Sequence, residues 1–163
     1  MMQKITPHLW FDTQAEEAMN FYVEVFNNSP GKSAESKIVS IRRYEKGMAT
    51  PGMPEMEGHV LTGVFELNGQ KFMALDGGPV FKFTEAISLY VECQDQAEID
   101  YFFEKLSAVR ESEICGWLKD KFELSWQIIP KNMGKLLKTN AAINAMLKMK
   151  KIVIADLEKA GAK

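Results

Sequence analysis

Asn68-Gly69, set between the apolar runs Val60–Leu67 and Gln70–Leu75, constrains this chain more than any other feature of its sequence. Asn-Gly readily takes the two left-handed residues of a tight two-residue turn, so an antiparallel hairpin is predicted across 60–75. Everything else must supply the cover for the hairpin's apolar side.

Ahead of it, Ile5–Phe11 reads as a strand, with Pro7 tolerated near its start or at an edge. Asp12 or Thr13 is placed to cap a helix through Ala15–Phe26, where Ala15, Ala18, Met19, Tyr22, Val25 and Phe26 recur at spacings of three and four. Asn27-Asn28-Ser29-Pro30-Gly31 ends that helix, and Lys37–Tyr44 reads as a strand. Met48–Gly58 is too rich in Gly and Pro for regular structure. The first half is therefore β-α-β-β-β. After a turn at Asp76-Gly77-Gly78-Pro79 the order starts again, with a strand at Ala86–Val91, a helix at Gln96–Ser107, and a hairpin of Glu113–Lys119 and Glu123–Ile129 about Asp120-Lys121. A shift of 82 residues lays Gln14-Ala15-Glu16 on Gln96-Ala97-Glu98 and Phe21 on Phe103. The shared order of elements supports duplication better than these few identities do. Pro130 closes the last strand, and Ala141–Lys159 reads as one amphipathic helix with Ile143, Met146, Leu147, Lys150, Ile154 and Leu157 near one face. The expected fold class is α+β: two β-α-β-β-β modules, 4–76 and 84–130, with a helical tail at 131–163, all in a single domain over 1–163.

At 163 residues, 46% hydrophobic and 26% charged, the chain has the size and composition of one globular domain. No apolar run approaches the roughly 18 residues of a membrane span, and Met1–Pro7 lacks the basic-then-apolar layout of a secretory signal, so a cytoplasmic location and no membrane partner are expected. Cys93, Cys115, His8 and His59 are too few and too scattered for a Cys/His zinc site. The net charge of −2 hides an asymmetry: 131–163 hold eight Lys against Asp156 and Glu158, while the remainder holds 12 basic and 20 acidic side chains. The tail has neither Arg nor an aromatic to stack on a base, so nucleic acid is not an expected partner; a solvated helix face or docking on the acidic body is.

Ile5-Thr6-Pro7-His8-Leu9-Trp10-Phe11-Asp12, Ala15-Glu16-Glu17-Ala18-Met19-Asn20-Phe21-Tyr22, Asp76-Gly77-Gly78-Pro79, Cys115-Gly116-Trp117-Leu118-Lys119-Asp120-Lys121 and Ser125-Trp126-Gln127-Ile128 resemble the PhnB-like family. Lys148-Met149-Lys150-Lys151-Ile152 in the tail fits it too. That family belongs to the vicinal oxygen chelate superfamily of glyoxalases, bleomycin-resistance proteins and extradiol dioxygenases, and its members are often catalogued as 3-demethylubiquinone 3-methyltransferases. The resemblance implies a glyoxalase-like U-shaped sheet cleft and a homodimer, often with modules exchanged.

The methyltransferase label can be set against the residues. A fold that binds S-adenosylmethionine normally has a glycine-rich turn after its first strand, but Phe11-Asp12-Thr13-Gln14 has no glycine, and Gly77-Gly78 reads as a turn between modules. Superfamily enzymes hold a divalent metal with His or Glu from four strands; the matching positions fall near Thr6, Thr62, Ala86 and Gln127, none a usual ligand. No cofactor and no metal are expected.

Alternation along strands nominates the cleft wall. Leu61, Phe65 and Leu67 are assigned to the helix side, leaving Val60, Thr62, Val64 and Glu66 for the cleft; Thr6, His8, Trp10, Ala86, Ser88, Tyr90, Ser125 and Gln127 follow by the same logic. His8 reads equally as a general base or as a hydrogen-bonded wall histidine. Trp10 and Tyr90 are candidates for stacking on a planar ligand, whereas Trp126 reads as core. Ser125, Gln127 and Thr62 offer polar contacts, and Arg42, sharing parity with Ser40 and Tyr44, could clamp a phosphonate, phosphate or carboxylate, or simply be an exposed edge arginine. Tyr44 joins the candidate wall. The Met48–Met56 loop reads as an adaptable lid or as disorder. His59 reads as a surface-loop histidine, Trp117 as a hairpin staple and Cys115 as a buried small hydrophobe. Two functions remain open. One is a metal-independent small-molecule binding protein, preferred because stabilising an enolate usually needs a cation; the other is an enzyme of the same fold in which His8 moves a proton.

Overall fold

The structure, a computed structural model, describes residues 3–49 and 55–162. The chain forms two compact units, Met1–Asn28 with Lys32–Phe83, and Ser29–Gly31 with Thr84–Lys163. The helical tail thus belongs to the second unit. The class is α+β, as expected.

In the first unit, β1 (His8–Phe11), α1 (Ala15–Asn27), β2 (Lys37–Arg43), β3 (Val60–Leu67) and β4 (Gln70–Asp76) form a four-stranded sheet of order β1-β4-β3-β2 under one helix. Asn68 and Gly69 both take positive φ, 50° and 85°, as the Asn-Gly turn demands. The Asn68 side-chain oxygen also accepts from the Ser33 and Ala34 amides at 2.9 and 2.8 Å, tying the loop after α1 to the hairpin. All six apolar positions read from the helical period are buried. They pack on Phe65, Leu67, Phe72 and Ala74, with Tyr22, Phe65 and Phe72 stacked in series. Gly63 lets α1 approach: a Cβ there would stand 2.6 Å from the Met19 sulfur.

Neither Asp12 nor Thr13 caps α1. Gln14 occupies the cap position without a side-chain bond, and the buried Asp76 carboxylate, at the end of β4, accepts the Ala15 N–H at 2.8 Å instead.

In the second unit, β5 (Leu89–Cys93), α2 (Gln96–Leu106), β6 (Trp117–Lys119) and β7 (Ser125–Pro130) form a three-stranded sheet of order β5-β7-β6. Among the described residues this module is one strand shorter than the first; a single 3-10 turn, Arg110–Ser112, lies between α2 and β6. Ile99, Phe102 and Leu106 of α2 and Leu118, Trp126 and Ile128 of the sheet are all buried. Asp120 closes the β6–β7 connection by accepting from Phe122 N, Leu124 N and the Trp126 indole, the last at 2.8 Å. One carboxylate thus ties the turn to the core indole.

The tail is not one helix. It is α3 (Met133–Leu136), α4 (Asn140–Met146) and α5 (Ile154–Gly161). The break has a cause: the carbonyls of Met149 and Lys150 accept the Cys115 and Gly116 N–H groups at 2.8 and 2.7 Å, so they are spent outside any helix. Gln96 holds the stretch just after it, donating to Ile152 O at 3.0 Å and accepting from Ile154 N at 2.9 Å. Ile129, Leu136, Ile152 and Leu157 close a separate small core.

Candidate functional site

The face of the first sheet opposite α1 carries most of the first-half candidates. Leu9 and Phe11 are buried while His8 is exposed and Trp10 half-buried, as strand parity requires. Arg42 pairs with Thr62, and Gly63 opposite Ala74 puts Thr62 next to Leu75, which pairs with Trp10. Trp10, Thr62 and Arg42 therefore share one row across the sheet, and His8 lies in the next, beside Met73, Val64 and Ser40.

Local bonds limit what these groups can offer. The Trp10 indole donates to Gly78 O at 3.0 Å, meets Phe81 edge-to-face, and lies where a Cβ on Gly77 would come within 2.1 Å of its ring. The Thr62 hydroxyl donates to Leu61 O at 2.8 Å. Arg42 is exposed on the edge strand β2, consistent with the edge-arginine alternative.

Two parity assignments need correction. Register shifts at 38/40 and at 42/43, the second leaving Leu61 unpaired between Val60 and Thr62, break the alternation, and Val60 and Tyr44 are both buried. The Tyr44 hydroxyl donates to Asp76 O at 3.0 Å, and desolvation followed by the Asp76 charge raises its phenol above the usual range. His59 also differs from a plain surface histidine: its Nδ1 stands 3.6 Å from Asp76 Oδ2, which accepts the Val60 N–H at 2.9 Å. Of the lid loop, residues 50–54 lie outside the described residues, and Met56 is buried.

The second sheet gathers a denser group. On the face opposite α2, Tyr90 pairs with Gln127 and Gln127 with Trp117, giving an aromatic-amide-aromatic row. In the neighbouring row Lys119 pairs with Ser125, and Ser88 joins through a 2.8 Å bond from the Gln127 amide nitrogen. Partial desolvation, reinforced by the charge of Glu92, raises the Tyr90 phenol and keeps it a donor at neutral pH. Ser125 is buried, and among the described residues its Oγ has no hydrogen-bond partner. Lys119 is mostly buried and ion-paired with the exposed Glu85, whose carboxyl is held low chiefly by that hydrogen bond. The tail packs on Ile129, at the far end of the same face.

Sequence reading placed Ser88, Tyr90, Ser125 and Gln127 on this face, took Trp117 only as a hairpin staple, and missed Lys119. The signal was available: Leu118 is the apolar residue of its triplet, so Trp117 and Lys119 must share the opposite face. Ala86 precedes β5, which begins at Leu89, three residues later than predicted.

The family described as 3-demethylubiquinone-9 3-methyltransferase matches residues 3–129. The PhnB protein of Bacillus cereus is 41% identical and aligns over 78% of this chain and 99% of its own, with a TM-score of 0.61. The chain belongs to the PhnB-like family. PA1353 of Pseudomonas aeruginosa, 15% identical over 77% of this chain and 95% of its own at a TM-score of 0.54, shares the glyoxalase-type fold. No curated protein matches.

The cofactors that family and superfamily imply do not fit this PhnB-like chain's residues. For S-adenosylmethionine, the turn after β1 has no glycine, and the helix N-terminus that follows is filled by the Asp76 carboxylate. For a divalent metal, the Thr62 hydroxyl and the Gln127 amide are weak ligands, and no three His, Cys, Asp or Glu among the described residues could share an ion. The tail beyond 129 lies outside the family match, yet Leu136, Ile152 and Leu157 form a buried cluster with Ile129, and Gln96 bonds the Ile152 carbonyl and the Ile154 N–H.

Proposed function

We propose that this PhnB-like chain is a small-molecule binding protein that works without a metal ion, its ligand lying against the face of the second sheet opposite α2. The observation that carries the reading is the pair of rows on that face: Tyr90, Gln127 and Trp117 beside Ser88, Ser125 and Lys119. Flanking aromatics with a few convergent polar groups are the usual composition of a small-molecule site. Gln127 is held by Ser88, which leaves its carbonyl oxygen to accept from a ligand. The first-sheet row of Trp10, Thr62 and Arg42 is a poorer candidate because the indole and threonine protons are committed to backbone carbonyls.

Ligand-observed NMR against a fragment library, with and without chelator, tests this. Expected are hits that persist in chelator and vanish in Gln127→Leu. Near-stoichiometric metal retained through desalting and lost in His8→Ala, with hits abolished by chelator, would overturn metal independence. The proposal also includes a cytoplasmic homodimer, its pairing carried by family resemblance; light scattering at micromolar concentration reads the mass directly.

A further inference from the structure

The Ser125 hydroxyl is buried and has no hydrogen-bond partner among the described residues. Burying a hydroxyl without a partner is unfavourable, so such an atom asks for a ligand. Its cross-strand neighbour Lys119 supplies the cation that a purely neutral site would lack. The Lys119 side chain is 19% exposed and its partner Glu85 is 63% exposed, so the ammonium is fixed in the sheet while the carboxylate is the solvent-facing, replaceable half. Along the strand the next row begins about 7 Å away, roughly the length of a benzene ring with its carboxyl group. There Tyr90 and Trp117 stand on the two outer strands, about 10 Å apart across Gln127.

We infer that Lys119 and Ser125 form an anion subsite, that the ligand is a planar aromatic acid whose ring lies over Gln127 between Tyr90 and Trp117, and that Glu85 is the resident counter-ion the ligand's carboxylate displaces. This rests on the binding function proposed above and adds the chemical class. Ammonium and hydroxyl together suit a carboxylate, with one charge-assisted bond and one neutral bond. The Gln127 carbonyl and the Tyr90 hydroxyl, in the adjacent row, suit a ring substituent that can donate and accept.

The test compares aromatic acids with their neutral amides, benzoate against benzamide and 4-hydroxybenzoate against 4-hydroxybenzamide, by titration calorimetry and ligand-observed NMR. In the wild type the acids should bind about tenfold more tightly than the amides. Lys119→Met should erase that preference, and Ser125→Ala should weaken acid binding severalfold. Glu85→Gln should tighten it about two- to fivefold by removing the competing ion. Should Lys119→Met fail to fold, the Glu85→Gln titration decides alone, since an exposed carboxylate can be neutralised without disturbing the core. Acids and amides binding equally, with both lost in Gln127→Leu, would overturn the anion subsite while leaving the binding function standing. No binding by any member of the panel would overturn the aromatic-acid assignment, while hits in the fragment screen would still uphold the binding function.

Discussion

Asp76 connects three parts of the first unit through one carboxylate. One oxygen accepts the Ala15 N–H and so caps α1 from outside the helix; the other accepts the Val60 N–H where β3 begins. Its backbone carbonyl takes the Tyr44 hydroxyl. Asp76→Ala leaves two buried N–H groups without partners and should cost about 2–4 kcal/mol, with Asp76→Asn costing less because one acceptor survives. Urea denaturation should show a lower midpoint at unchanged slope. Gly77→Ala acts on the neighbouring contact: its methyl group would land in the Trp10 ring, which is pinned by Gly78 O and Phe81. The expected loss is about 1–3 kcal/mol, and Trp10→Phe should relieve part of it in a double-mutant cycle. Asp76 was hard to read because the capping residue lies 61 positions from its helix; the legible hint was that Gln14, a poor cap, left α1 in need of an acceptor. Tyr44 was misplaced because register shifts, which no alternation pattern announces, interrupt the β2–β3 pairing just before it.

Elements with strong local signals were legible: the Asn68-Gly69 hairpin and both long helices lie where period and turn chemistry put them. The tail was legible only in part. Its apolar stripe runs through 148–153, yet there the backbone bonds to the Cys115-Gly116 turn rather than to itself. Long-range partners of this kind override helix propensity and leave no periodic trace. Side chains fasten the segment as well: Gln96 bonds Ile152 O and Ile154 N at its C-terminal end, Lys151 pairs with Asp100 at 2.6 Å, and Lys150 with Glu113 at 3.4 Å. Gln96→Ala should speed hydrogen exchange at Ile154 and at Cys115-Gly116 while leaving α1 amides unchanged. The Asp100 carboxyl is lowered, first by Lys151 and then by Gln96. Its contribution is therefore present above the ordinary carboxylate pKa of about 4 and is lost as pH falls below it. Lys151→Met should flatten the acid limb of a stability-versus-pH profile measured with urea.

For the molecule as a whole, the two thiols report on different things. Cys115 is half-buried beside the tail, whereas Cys93 is fully buried in the second unit. Burial, with Glu98 and Asp95 adding negative charge, pushes the Cys93 thiol up to about 12. A native protein treated with an aromatic disulfide at pH 8 should therefore yield one labelled thiol quickly and the second only when the second unit opens. The same shift makes stability pH-dependent. In the unfolded chain Cys93 ionises near its ordinary value of about 8.5, while in the folded protein it keeps its proton to about 12. Between those values the folded state binds more protons, so stability must fall as pH rises through the window. Cys93→Ala removes that linkage at the cost of a small cavity: it should be less stable than the wild type at pH 7 but lose less on going to pH 10. Parallel alkaline limbs for the two proteins in urea melts would show that Cys93 ionises as freely in the folded protein as in the unfolded chain.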